Sequence, residues 1–244
     1  NDEENESQDK FKINTEDLHE IVTEKKRDRL LYILKKIEMY SAKFSYLIDK
    51  LIRSAQKDYT FDNILFPTGK VLIYSDFREK TSGGVSFIGK LLEYDDLNFI
   101  SFDTFLNDTV EMGNIFNTSE EQEQKSAGYY NEELKTKIIT QFEAYVKDNN
   151  YKVFYMWKTS SATNNQLNYM AHIIFNSKQN IDGKLIRVIF ITKSGSEGIS
   201  FKAIRQVHIM EPFWQQTREV QVIGRAVRYK SHDDLPIDKK NVYV

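Results

Sequence analysis

The sequence predicts an α/β domain, a mostly parallel sheet with helices on both faces, preceded by a helical segment. Two observations carry this. Short apolar runs of strand length alternate with longer stretches of helical spacing, most regularly in the last third of the chain. The 244 residues are 40% hydrophobic and include 16 Phe and 14 Tyr, enough to bury one good core and a small satellite.

The elements follow in order. Residues 1–20 are acidic and polar, with five acids in the first nine positions, and read as a flexible terminus. From Glu24 to Ser54, Leu30, Leu34, Ile37, Tyr40, Phe44, Leu47 and Leu51 recur at helical spacing. Tyr40-Ser41 divides this run, with Ser41 as cap of the second helix. The helical segment is drawn over residues 21–66, and its cluster Lys25, Lys26, Arg27 and Arg29 reads as a solvated face. Phe66-Pro67-Thr68-Gly69 is a turn into a buried strand, Val71–Tyr74. A helix runs from Gly83 to Leu92 and a strand from Phe99 to Phe102. Residues 105–131 read as a polar surface insertion. A helix at Leu134–Val146 and a strand at Val153–Trp157 come next. The remainder reads as helix Leu167–Phe175, strands Arg187–Ile191 and Val207–Met210, and helix Thr217–Val227. The main domain is therefore placed at residues 67–244.

Composition excludes several classes. With no cysteine there is no disulfide framework and no thiolate metal site. His19, His172, His208 and His232 are too scattered for a zinc cluster, so no metal site is assigned. No apolar run approaches the roughly 18 residues of a membrane span, and no signal-peptide core is present. The chain begins at Asn1 rather than Met and is expected to be part of a longer protein. The net charge of −2 conceals an asymmetry. Asp95–Glu123 holds eight acids and no base, while Lys184–Lys230 holds nine Lys/Arg against three Glu. A basic stretch suits phosphate, in a nucleotide or a nucleic-acid backbone.

Two motifs carry chemistry. Gln221-Val222-Ile223-Gly224-Arg225-Ala226-Val227-Arg228 is a Q-x-x-G-R-x-x-R pattern on an expected helix. Arg225 and Arg228, three apart, would share a face, and two planar, permanently charged forks can grip one triphosphate bidentately. At a γ-phosphate such a group stabilises transition-state charge. About 30 residues upstream, Thr192-Lys193-Ser194-Gly195-Ser196-Glu197-Gly198-Ile199-Ser200 follows a strand. Small residues at the C-terminal edge of a parallel sheet bring backbone N–H groups close to phosphates.

In this order and spacing the two motifs resemble motifs V and VI of superfamily 2 helicases, in their second, RecA-like half. Tyr40-Ser41-Ala42-Lys43-Phe44 and Lys70–Phe77 resemble the start of that half and its motif IV. Phe175-Asn176, Asn180 and Gly183, then Arg205–Trp214, then Ser231-His232 with Leu235-Pro236 extend the likeness. The nearest resemblance is to nucleoside triphosphatases and helicases of large cytoplasmic DNA viruses. It covers about Tyr40 to Val244 and is weakest between Asp103 and Asn150.

That resemblance implies roles. Gln221, Arg225 and Arg228 would form the catalytic set, with Arg228 as the arginine finger. Glu197, Gly198, Ser200 and Gly224 would lie along the nucleotide. Thr192, Ser75 and Ser194 would contact the nucleic-acid backbone. Arg205, Gln206 and His208 would pack and position. The cofactor would be ATP with Mg²⁺, the metal held by a first RecA-like domain upstream or in trans. DNA or RNA would be the track, a viral RNA polymerase a further partner, and the cytoplasm the site of action. Many relatives place Asp where Ser200 stands here, to accept bonds from the ribose hydroxyls. Its replacement predicts poor discrimination between ATP and dATP.

The sequence contains no G-x-x-x-x-G-K-[ST], since Gly69-Lys70 runs directly into Val71, and no D-E-x-H-like acidic pair. The expectation is half of an ATPase site, inactive alone, belonging to an ATP-dependent helicase or translocase. The alternative is a catalytically inactive helicase-like module for nucleic-acid or polymerase docking.

Overall fold

The computed structural model describes residues 29–55, 57–77, 84–93, 97–108, 132–158, 162–193, 199–211, 214 and 216–244. The expected flexible terminus, the Lys25–Arg27 cluster, most of the acidic stretch, and Ser194, Glu197 and Gly198 lie outside the described residues.

Two helices open the described chain, α1 (Arg29–Tyr40) and α2 (Ala42–Arg53). They part at Ser41, whose hydroxyl accepts the Phe44 amide at 3.3 Å, satisfying one of the donors a helix start leaves open. Phe44, Leu47, Ile48 and Leu51 are buried at i, i+3, i+4 and i+7, one stripe of an amphipathic helix. The helical segment stops there. Residues 59–66, expected to be helical, form an antiparallel hairpin of β1 (Tyr59–Phe61) and β2 (Ile64–Phe66). The reason is the two-residue turn: Asp62 and Asn63 adopt φ of 51° and 62°, the left-handed pair a tight hairpin needs. Lys50 docks this hairpin. Its ammonium lies 3.5 Å from the Phe61 ring centre, 4.6 Å from Tyr46 and 5.2 Å from Tyr59.

The main sheet consists of β3 (Lys70–Tyr74), β4 (Phe99–Ser101), β5 (Lys152–Met156), β6 (Ile186–Ile191) and β7 (Ile204–Ile209). All pairs are parallel, in the order β4-β5-β6-β3-β7. β3 is buried at every position, and its side chains alternate between two cores. Val71 and Ile73 join α1, α2 and α3 (Val85–Leu92) on one face. Leu72 and Tyr74 face α4 (Phe102–Asp108), α5 (Glu132–Asn149), α6 (Ala162–Asn176) and α7 (Gln216–Ala226) on the other. The leading helices thus share a core with the sheet. The outer edge of β7 is covered by the C-terminal segment, where Tyr243 takes a bond from Val207 and gives one to Arg205.

Two differences from expectation have clear causes. The fourth strand ends at Ser101, because Phe102 begins α4. Phe105, placed in a surface insertion, is a core residue in contact with the Phe102, Phe142 and Tyr145 rings. The other boundaries shift by a few residues, as helix ends do.

Candidate nucleotide and nucleic-acid sites

Turns at the sheet's N-terminal edge fix the strand register. Gly69 has φ +129°, and a Cβ there would stand 2.5 Å from Arg205 Cγ. Asn180 ties the turn before β6 by donating to Phe175 O and Ile186 O and accepting from the Leu185 amide. Gln206 is fully buried and donates to Ser54 Oγ and Pro67 O. Arg187 donates to Ser54 O at 2.6 Å, closing the C-terminus of α2 with a cation where the helix dipole favours one; burial lowers its pKa to about 10. His208 bonds Gln206 Oε1 through Nε2 at 3.0 Å. Part of the ring reaches the surface, and burial of the remainder holds its pKa down to about 4.

At the C-terminal edge, the ends of β3 and β7 form a hub. Ser75 is buried and its Oγ donates to Glu211 Oε1 at 3.0 Å. The Asp76 amide donates to Glu211 Oε2 at 3.0 Å. Asp76 accepts from Tyr74 Oη and from Arg218 Nη1, both at 2.8 Å. Lys43 Nζ reaches Met210 O at 2.8 Å and lies 3.9 Å from Glu211. Thr192, just after β6, is also buried. Ser75, expected to offer its hydroxyl to a phosphate backbone, spends it on Glu211 in this arrangement. Phe77 and Trp214 are exposed at the same edge.

The second site lies at the other end of α7. That helix ends at Ala226, so Arg228 leaves it instead of sharing its face, and the Arg228 amide is taken by Ser231 Oγ. Its side chain turns back. Nε donates to Gly224 O at 3.0 Å and Nη1 donates to Ser200 Oγ. Arg225 donates to Ile199 O at 3.2 Å. Both guanidiniums therefore converge on neighbouring residues of one loop, though by different routes from those the helix spacing implied. Gln221 is exposed on α7 and Gly224 has open space where a Cβ would project.

The end of this loop is fixed from α6. Ser200 O is held by His172 Nε2 at 2.9 Å and Asn176 Nδ2 at 3.0 Å, both in the last turn of α6. Ser200 is thereby tied to α6, and the His172 ring in turn lies 6.4 Å from that of Trp157, just past the C-terminal end of β5. Burial lowers the His172 pKa, partly offset by the hydrogen bond to the Ser200 carbonyl. Sequence reasoning missed His172 and Arg218; Asn176 had been grouped with the motifs without a role.

The five-stranded parallel sheet with helices on both faces is consistent with a RecA-like domain. Residues 136–230 match the helicase conserved C-terminal domain. It is similar to the termination factor NPH-I homolog of African swine fever virus, 45% identical over 73 residues, which is 30% of this chain and 10% of that protein. It is also similar to nucleoside triphosphatase I of Choristoneura fumiferana entomopoxvirus, 40% identical over 90 residues, 37% of this chain and 13% of that one. The matched stretches span only about a tenth of these relatives' length. Among the described residues no helix is long and apolar enough to cross a membrane, and no group of three acidic or histidine side chains could hold a metal ion.

Proposed function

We propose that this domain is the trans half of a nucleic-acid-dependent ATPase site in a viral helicase or translocase. The observation that carries the reading is the convergence of Arg225 and Arg228 on Ile199 and Ser200. Two permanent cations side by side on one loop form a receptor for phosphate oxygens. Arg228 is the finger, and its exposed position lets it swing from Ser200 to a γ-phosphate. Gln221 bridges to a first RecA-like domain, in the same polypeptide or in trans, which supplies the phosphate loop and the residues that hold Mg²⁺. Glu197, Gly198, Ser200 and Gly224 line the nucleotide. The C-terminal edge, with Thr192, Ser194 and the Ser75–Phe77 loop, meets the nucleic-acid backbone, and cycles of closure drive movement along it. Viral transcription or replication in the cytoplasm, beside the viral RNA polymerase, is the setting that fits relatives of these names.

The test is hydrolysis by the full-length protein. Arg225→Ala and Arg228→Ala should each lower kcat by on the order of 10³-fold, with strand binding in the absence of nucleotide unchanged. Near-normal hydrolysis by either variant would make that arginine structural and favour a docking module over a motor.

A further inference from the structure

The two candidate sites stand at opposite ends of α7, and a specific side chain links them. Asp76 follows the end of β3, in the loop assigned above to the nucleic-acid edge. Its carboxylate is held on both oxygens, by Tyr74 Oη on Oδ1 and Arg218 Nη1 on Oδ2, each at 2.8 Å. Its amide is held as well, by Glu211 Oε2 at 3.0 Å. Glu211, the other carboxylate of the hub, is engaged by Ser75, the Asp76 amide and Lys43. The loop therefore has little rotational slack.

Arg218 lies in the first turn of α7. Val222 and Arg225 follow it at i+4 and i+7, on one stripe of the helix. Val222 is fully buried against the sheet, and Arg225 ends at Ile199 O. At a rise of about 1.5 Å per residue, the helix spans about 10 Å between the two arginines. A helix this short, seated on a packed core, moves as a rod. A shift of the Ser75–Phe77 loop is thus delivered to Arg225.

We propose that Asp76 is a positioning residue that couples strand engagement at the sheet edge to placement of the arginine pair, through its bond to Arg218. The proposal rests on the functional reading above. An ion pair with both partners about one-third exposed, 34% and 30%, contributes little to stability. What this one supplies is geometry, a fixed pivot for the finger helix.

The test uses the full-length protein, with single-stranded DNA and RNA oligonucleotides as probes, and compares ATP hydrolysis with and without a strand. Asp76→Asn and Arg218→Gln should each lower the strand-stimulated rate about tenfold. For Arg218→Gln, whose side chain lies outside the strand-contacting loop, the unstimulated rate and the KM for ATP should stay within about twofold, and Asp76→Glu should recover part of the stimulation that Asp76→Asn loses at saturating strand. Exchanging the charges, Asp76→Arg with Arg218→Asp, should restore more than either single change retains. Stimulation kept by the single variants, or stimulated and unstimulated rates falling in equal proportion, would overturn the coupling. So would an exchanged pair worse than both singles. A wild type that hydrolyses ATP without responding to either strand would sink the underlying reading and the coupling with it. A responsive wild type with indifferent variants would sink the coupling alone.

Discussion

Arg228 donates its Nη1 to the Oγ of Ser200, so the expected finger rests on a neutral hydroxyl. A neutral hydroxyl holds a guanidinium by one bond, roughly half as strong as a bond to a carboxylate.

Ser200→Asp should therefore tighten the resting state. The added charge strengthens the hold on Arg228 by about 1 kcal/mol, and kcat of the full-length protein should fall by up to about tenfold. Ser200→Ala should change it much less. In the wild type, kcat/KM for ATP should exceed that for dATP by less than about tenfold, because no carboxylate at Ser200 reads the ribose. A larger preference, untouched by Ser200→Asp, would place ribose recognition elsewhere.

The chain by itself should fold and show no hydrolysis with ATP, Mg²⁺ and nucleic acid. Any binding of a single strand should be salt-sensitive and indifferent to sequence, since backbone contacts position a strand without reading bases. Turnover by the purified chain that survives Arg228→Ala, or salt-independent binding, would contradict this.

His208 predicts a pH dependence. Its imidazole takes up a proton near 6.5 when unfolded but only near about 4 in the fold, because burial penalises the charged form. Between those values the unfolded chain binds more protons, so stability falls as the pH falls. The contribution is full above about 6.5 and lost near 4, at most about 3 kcal/mol and less if the part-exposed edge admits water. Denaturant titrations at pH 7 and 5 should show the loss, and His208→Gln should reduce it.

Lys50 should prove more than a solubilising charge. Lys50→Met keeps most of the volume but loses the contacts with the Phe61, Tyr46 and Tyr59 rings, at about 1–2 kcal/mol. Lys50→Ala should cost more by opening space beneath the hairpin. Amide exchange should rise first in residues 59–66.

Much of the sheet was legible because the apolar runs announce it. Val71–Tyr74 reads as a buried strand, and both its faces are buried. The hairpin was hidden because Tyr59–Phe66 mixes polar and aromatic residues; its one strong signal was Asp62-Asn63, two residues that tolerate the left-handed region. Phe105 was misplaced because its neighbours are acidic, and burial follows the packed face more than local composition. The arginine motif was visible as a pattern, but not the chain's exit from the helix before Arg228, which Ser231 three residues on secures. The Asp76–Arg218 pair joins residues 142 apart, and no local pattern could have shown it.

The sheet order has a consequence during synthesis. β3 lies between β6 and β7, so its first residue to find a partner waits until at least Ile186 has emerged, more than 110 residues after Tyr74. At about 5–20 residues per second, that delay is on the order of ten seconds. Throughout it, Val71-Leu72-Ile73-Tyr74 is an apolar segment with neither of its sheet partners, open to wrong pairing and suited to a chaperone's cover.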